Sequence, residues 1–294
     1  MELYDWMVKY TPQTEWIERR GILLWLAFFF IELGAGIFFV ASFFDNLSSL
    51  MIGWLCCGIV GGGLHLIFLG KPQRFWRIIF SSGWQTSWIS RGLIFVSLFL
   101  GLGLAYIGLI HWSSPPPSLM IAADVFAFLT VIYGGFAMNY VNGIPLWNTA
   151  LLPVLYVISG LWGGAEATLG LTLAGGDIKL GISIEEWIRI LIIGFIILIP
   201  VYLVSVRYIS PTGRESVKQL VQGRWSLLFW IDVVIIGIAI PIGAVMYSYY
   251  SGLDVAPKAF LYTAIVCGLL GDLGMRYLIL RCGMYSPLIS SSGR

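Results

Sequence analysis

Glu32 stands inside the run from Phe28 to Phe39, FFFIELGAGIFF, in which every other residue is apolar or glycine. A charge at the centre of a bilayer costs roughly 2.5–3.5 kcal/mol on insertion scales, and such residues usually face the protein interior on a path for protons, ions or substrate. A carboxyl can be neutral or charged, which is what a proton relay needs. Glu32 has no partner within its own helix. Other apolar runs are interrupted too, by Asp124, Glu166, Arg189, Asp232, Asp272 and Arg276. Asp272 and Arg276 are four apart, so they share a helix face and can pair. Arg276 with Asp272 or Asp232 reads most simply as an ion pair stapling two helices. A second reading makes Glu32, Glu166, Asp232, Asp272 and Arg276 a proton path.

Tyr133 lies in Tyr133-Gly134-Gly135-Phe136. The glycines leave room for a flat ring beside a phenol donor, although a packing tyrosine with a satisfied hydroxyl is equally open. His111, next to Trp112, can exchange protons near neutral pH, or is simply solvated at an interface. His65, ahead of Gly70-Lys71-Pro72, reads as a structural donor at a helix end. Two histidines do not suggest a bis-histidine haem. The four cysteines, Cys56, Cys57, Cys267 and Cys282, form no CxxC pattern, so no iron–sulfur cluster and no metal site is expected in this chain.

These residues must be carried by membrane helices. Of 294 residues, 59% are hydrophobic and 11% charged, against about a quarter charged in soluble domains, and the mean hydropathy is +0.89. A bilayer core needs roughly 20 apolar residues per helix. Counting such runs predicts an all-α integral membrane protein whose eight spans, in one transmembrane domain, cover about 22–43, 47–69, 88–112, 119–141, 146–169, 184–208, 225–249 and 256–281. The first run is too long for a cleavable signal and reads as a span. Glu32 then falls about ten residues, or roughly 15 Å, into the first span.

With the N-terminus inside, the inner segments hold Lys9, Arg19, Arg20, Lys71, Arg74, Arg77, Arg91, Arg207, Arg214, Lys218, Arg224, Arg281 and Arg294, and the outer ones only Lys179, Arg189 and Lys258. That bias places both termini in the cytoplasm. Net charge of +2 gives no reason to expect nucleic acid. Tryptophans near the span ends form an interfacial belt. Gly58 with Gly62 and Gly160 with Gly164 have the spacing that lets helix backbones approach.

An ordered series of short motifs resembles the membrane subunit of polysulfide reductase and its NrfD-like relatives. It runs from His65-Leu66 with Gly70-Lys71-Pro72-Gln73-Arg74-Phe75-Trp76-Arg77, through Ser87-Trp88-Ile89-Ser90-Arg91-Gly92, Tyr133-Gly134-Gly135, Trp147-Asn148 with Leu152-Pro153, and Ser159-Gly160-Leu161, to Phe229-Trp230, Gly237, Pro241, Gly271, Arg276-Tyr277 and Gly283. The likeness covers nearly the whole chain. It implies two four-helix bundles in a bacterial or archaeal cytoplasmic membrane. It implies a haem-free subunit that binds menaquinone or ubiquinone and exchanges electrons with a four-cluster iron–sulfur subunit, commonly beside a molybdopterin-type catalytic subunit. It places the quinone toward the outer side, under that partner, with Tyr133 as the tyrosine that holds it. Glu32, Asp124 and His111 are the further candidates at the quinone, Glu32 as proton acceptor. Glu32 and Asp272 stand where the family commonly has small residues, and Leu24, Ala27 and Phe28 cannot donate, so ring contacts rebuilt around Glu32 are expected. The rival expectation is a secondary transporter or proton-conducting protein, which would carry similar acids but also inverted repeats.

Overall fold

Helix is the structure that satisfies every backbone polar group within one apolar segment, and the chain is built almost entirely of it. A computed structural model describes residues 5–79, 85–110 and 112–289. Among them, eight helices are long and apolar enough to cross a membrane: α1 Gly21–Ser42, α2 Leu47–Phe68, α3 Trp88–Leu109, α4 Pro117–Asn139, α5 Leu151–Ala174, α6 Ile178–Ile209, α7 Ser226–Ser251 and α8 Lys258–Arg281. The chain is a multi-pass membrane protein.

Polar caps start several of them. The side chains of Asn46, Ser87 and Asp177 accept hydrogen bonds from the N–H groups of Ser49, Ser90 and Leu180 at 3.1, 3.4 and 3.0 Å, as expected of residues that satisfy the first turn. The Asp177 cap lets α6 begin at Ile178 and run for 32 residues, not from 184 as the apolar run predicts. The fifth span begins later than its apolar run. Residues 146–150 form a turn, because Trp147 is fully buried and donates its indole N–H to the Ile279 carbonyl at 2.7 Å.

Thr11–Pro12 pairs antiparallel with Met284–Tyr285, Ser286 N–H reaches the Gly143 carbonyl, and Ser286 Oγ meets Thr212 Oγ1 at 3.2 Å. Both ends of the described chain, the α4–α5 turn and the short helix Pro211–Val221 therefore gather on one side, the terminal face. Helix α1 packs on α2, α4 and α5 and more lightly on α8; α3 packs on α4, α5 on α6 and α8, and α7 on α8. Buried apolar side chains form one cluster around Phe38, Phe99 and Val131 and another around Trp162, Phe195 and Ile279.

Helices α1 and α5 cross closely. A Cβ at Gly36 would overlap the Gly160 carbonyl, and one at Gly164 would overlap Gly36. Gly160 and Gly164 thus act as their spacing predicts. Gly58 and Gly62 do not: Gly58 meets only Leu100, and the close contacts of α2 with α1 are made by Gly53 and Gly61.

Candidate functional site

Arg276 organises the buried centre. It lies two turns after Gly268 on α8 and is 3% exposed. Its Nε donates to Asp272 Oδ2 at 2.9 Å, its Nη2 donates to Ser159 Oγ of α5 at 2.7 Å, and its Nη1 is paired with Glu32 Oε2 of α1. The guanidinium carbon also sits 4.5 Å from the ring centre of Tyr156, one turn before Ser159, a cation–π contact. One arginine therefore ties together α1, α5 and α8. Its carboxylate partners are Asp272, foreseen from the four-residue spacing, and Glu32.

A fixed cation shared by two buried carboxyls is electrically neutral only when the group carries one proton. Breaking such a desolvated pair by removing one partner costs about 3–5 kcal/mol, so the cluster is a place where a proton can be held. The free oxygen, Glu32 Oε1, is buried and has no hydrogen-bond partner among the described residues. It presses on Gly134 of α4, where a Cβ would overlap it. Only glycine leaves space for the carboxylate there.

The residue before Gly134 is Tyr133, 4% exposed, whose ring lies on Gly92 of α3. Phe28, one turn before Glu32, touches two polar rings, with Tyr133 at 5.9 Å and His65 at 6.1 Å between centroids. His65 Nδ1 is buried with no hydrogen-bond partner among the described residues, so the histidine read as a structural donor is, like Glu32, an unpaired polar group there. Nothing local in sequence signalled it; its contact with Phe28 comes from α2 packing on α1.

Glu166 continues the series on the other side. It lies two turns after Ser159 on α5, is 3% exposed, and packs its carboxylate on Gly268, one turn before Asp272. Its Oε2 has no partner among the described residues. A cavity of about 30 Å³, with mainly apolar walls, has Glu166, Glu185 and Ser248 as its polar lining and is large enough for a water. Glu185, not singled out in the sequence, hydrogen-bonds Ser248 and faces Arg189 at 3.9 Å. Arg189, Glu185, Glu166, Asp272, Arg276 and Glu32 thus follow one another through the interior of the protein.

Two residues of the expected set stand apart. Asp232, on α7, packs against Gly274, on another face of α8 from Arg276, and is half-buried. It is not the arginine's partner. Asp124 lies nine residues from Tyr133, roughly 13 Å along α4, toward the face opposite the terminal one, with a buried and unpaired Oδ1. His111 lies outside the described residues. Tyr133 is six residues from the terminal-face end of α4, so a cytoplasmic terminal face and an outward-lying Tyr133 exclude one another.

Among the described residues, no group of three His, Cys, Asp or Glu could hold a metal ion. The chain is 24% identical to a NrfD homolog protein of Haemophilus influenzae, over 93% of this chain and 96% of that one. It is 27% identical to a polysulfide reductase chain of Wolinella succinogenes, over 76% of this chain and 78% of that one. A shorter stretch, 26% of this chain and 23% of the relative, is 35% identical to a sulfite dehydrogenase subunit of Allochromatium vinosum. Residues 19–287 match the family described as polysulphide reductase, NrfD, and the chain belongs to that family of membrane subunits of oxidoreductase complexes.

Proposed function

We propose that this chain is the haem-free, quinone-binding membrane subunit of a respiratory oxidoreductase complex, which exchanges electrons with a four-cluster iron–sulfur subunit beside a molybdopterin-type catalytic subunit. The observation that carries the reading is Glu32: a buried carboxyl, clamped through one oxygen by Arg276, with its other oxygen unpaired beside Tyr133. The donor set suits menaquinone or ubiquinone. Tyr133 and His65, both in contact with Phe28, offer hydrogen bonds, and that apolar ring would pack against a flat headgroup. A bound quinone supplies the exchange of two electrons and two protons. Glu32 takes or returns a proton at Oε1, while Arg276 holds its carboxylate in place and Ser159 holds Arg276.

The contacts support two bundles, α1–α4 and α5–α8, joined where α1 and α4 pack on α5. The lysine and arginine count supports a terminal face in the cytoplasm of a bacterium or archaeon. Tyr133 and His65 then lie in the cytoplasmic half, and the iron–sulfur subunit docks over that face. From the other side, Glu185, Glu166 and Asp272 form a file by which protons reach Glu32, so quinone chemistry on one side draws protons from the other. A secondary transporter would share these acids; membership of a family of oxidoreductase subunits favours the redox reading.

The test is quinol oxidation by the assembled complex carrying Glu32→Gln. General acid–base groups contribute roughly 10²–10⁴-fold, and a loss of that size with the subunits still co-purifying is expected. Normal turnover by this variant would remove Glu32 from the mechanism.

A further inference from the structure

A large groove lies away from the buried centre. Helices α6 and α7 touch at the Ile240–Ser251 end of α7 and enclose, toward the terminal face, a groove of about 490 Å³. That is within the roughly 300–1,000 Å³ of small-molecule sites. Its walls are Ile199, Leu203, Phe229 and Val234, and the amphipathic helix Pro211–Val221 closes its end with Val217. Val204, Ile231 and Ile235, beside it, are about half exposed, so the groove lies on a surface turned to the bilayer.

Its mouth is basic. Arg207, in the last turn of α6, and Arg214 and Lys218, four apart on the short helix, all line it. Neither Arg207 nor Arg214 pairs with an acid among the described residues. Lys218 stands 4.0 Å from Glu215, the acid on this helix, which also accepts from Gln219 at 2.8 Å; the mouth keeps two uncompensated cations. Trp230 anchors the rim by donating its indole N–H to the Val221 carbonyl at 3.0 Å. A second α6–α7 groove, of about 290 Å³ near the opposite face, has only Arg189. That cation faces Glu185 at 3.9 Å and stacks on Tyr249 at 5.3 Å.

We infer that the terminal-face groove is a specific site for an anionic phospholipid of the adjoining leaflet. One acyl chain lies between α6 and α7, and the phosphate is held by Arg207 and Arg214 with help from Lys218. Apolar walls open to the bilayer and ending in a cluster of cations match a diacyl anion; a neutral quinone would leave the cations unused. Basic pockets between helices bind anionic headgroups for this reason, at about fivefold in affinity per cation near the surface.

The full chain, purified and placed in phosphatidylcholine nanodiscs, is titrated with phosphatidylglycerol and read by native mass spectrometry. One phosphatidylglycerol is expected to bind at least tenfold more tightly than phosphatidylcholine and to resist displacement by inorganic phosphate. Arg207→Gln and Arg214→Gln each weaken it about fivefold. Val234→Trp, which fills the groove and leaves every charge in place, removes it. Arg20→Gln, on the same face but outside the groove, leaves it unchanged. Equal retention of both lipids, an Arg20→Gln effect as large as that of Arg207→Gln, full binding by a folded Val234→Trp chain, or displacement by quinone would each overturn the assignment.

Discussion

Glu32 and Glu166 are the same residue type in nearly the same burial, and each lays its carboxylate on a glycine of a neighbouring helix, Gly134 and Gly268. They differ in what else they touch. Glu32 is fixed by an arginine that also serves Asp272 and Ser159. Glu166 has no cation partner among the described residues, one of its oxygens is unpaired there, and the residue lines a cavity of water size together with Glu185. The first is a rigid group whose charge is counted jointly with its neighbours. The second is held by no ion pair among the described residues. In a file of acids, a clamped member suits a step that must be aligned with a reacting partner, and an unclamped one suits transfer through water.

Arg276→Gln breaks the clamped member most completely. It leaves Glu32 and Asp272 facing each other without a cation, and the loss of one partner from a buried pair costs about 3–5 kcal/mol. The expected outcome is a large fall in thermal midpoint of the purified complex, or failure to assemble. Adding Glu32→Gln and Asp272→Asn to Arg276→Gln removes the charges together and should restore much of that loss. If the triple variant is no more stable than the single one, the arginine acts by shape and not by charge.

Glu32→Gln separates the two acids by function. Arg276 keeps Asp272, so the cluster stays neutral and assembly should hold, while turnover falls by roughly 10²–10⁴. Glu166→Gln should lower the rate less, because water in the adjoining cavity can carry a proton past it. Comparing the two variants by quinol oxidation at several pH values in the assembled complex would rank them. Equal losses would mean that both acids are aligned with the reacting group.

How much of this was legible in sequence depended on distance along the chain. Apolar runs located eight helices, since composition alone decides that a segment of 20 residues can span. They misplaced the start of α5, because Leu146 and Trp147 are as apolar as a span and yet are buried in a turn. Asp272 and Arg276 could be paired from their spacing. The Glu32–Arg276 pair joins residues 244 apart, and no periodicity within one helix reports which helix will lie opposite. The pairing of Arg276 with Asp232 failed for the same reason: the face that α7 turns to α8 is set by the close approach of Gly237 and Gly271, which puts Asp232 on Gly274. His65 was undervalued because its neighbour Phe28, which also packs on Tyr133, comes from another helix.

The glycines give the finest test of the difference between the two acids. A methyl at Gly134 overlaps Glu32 Oε1, and a methyl at Gly268 overlaps the Glu166 carboxylate; both are small-to-large changes, which in packed interiors cost about 1–3 kcal/mol. The cost depends on whether the struck group can move away. Glu32 cannot turn without breaking its bond to Arg276, so Gly134→Ala should take the full penalty and reduce turnover with it. Glu166 is held by no ion pair and can rotate toward the cavity it shares with Glu185, so Gly268→Ala should cost under about 1 kcal/mol and leave quinol oxidation within a fewfold of normal. The measurement is the pair of thermal midpoints together with the pair of rates. A Gly268→Ala chain as damaged as Gly134→Ala would show that Glu166 is locked as firmly as Glu32, by backbone packing in place of charge, and would remove the distinction between an aligned acid and a mobile one.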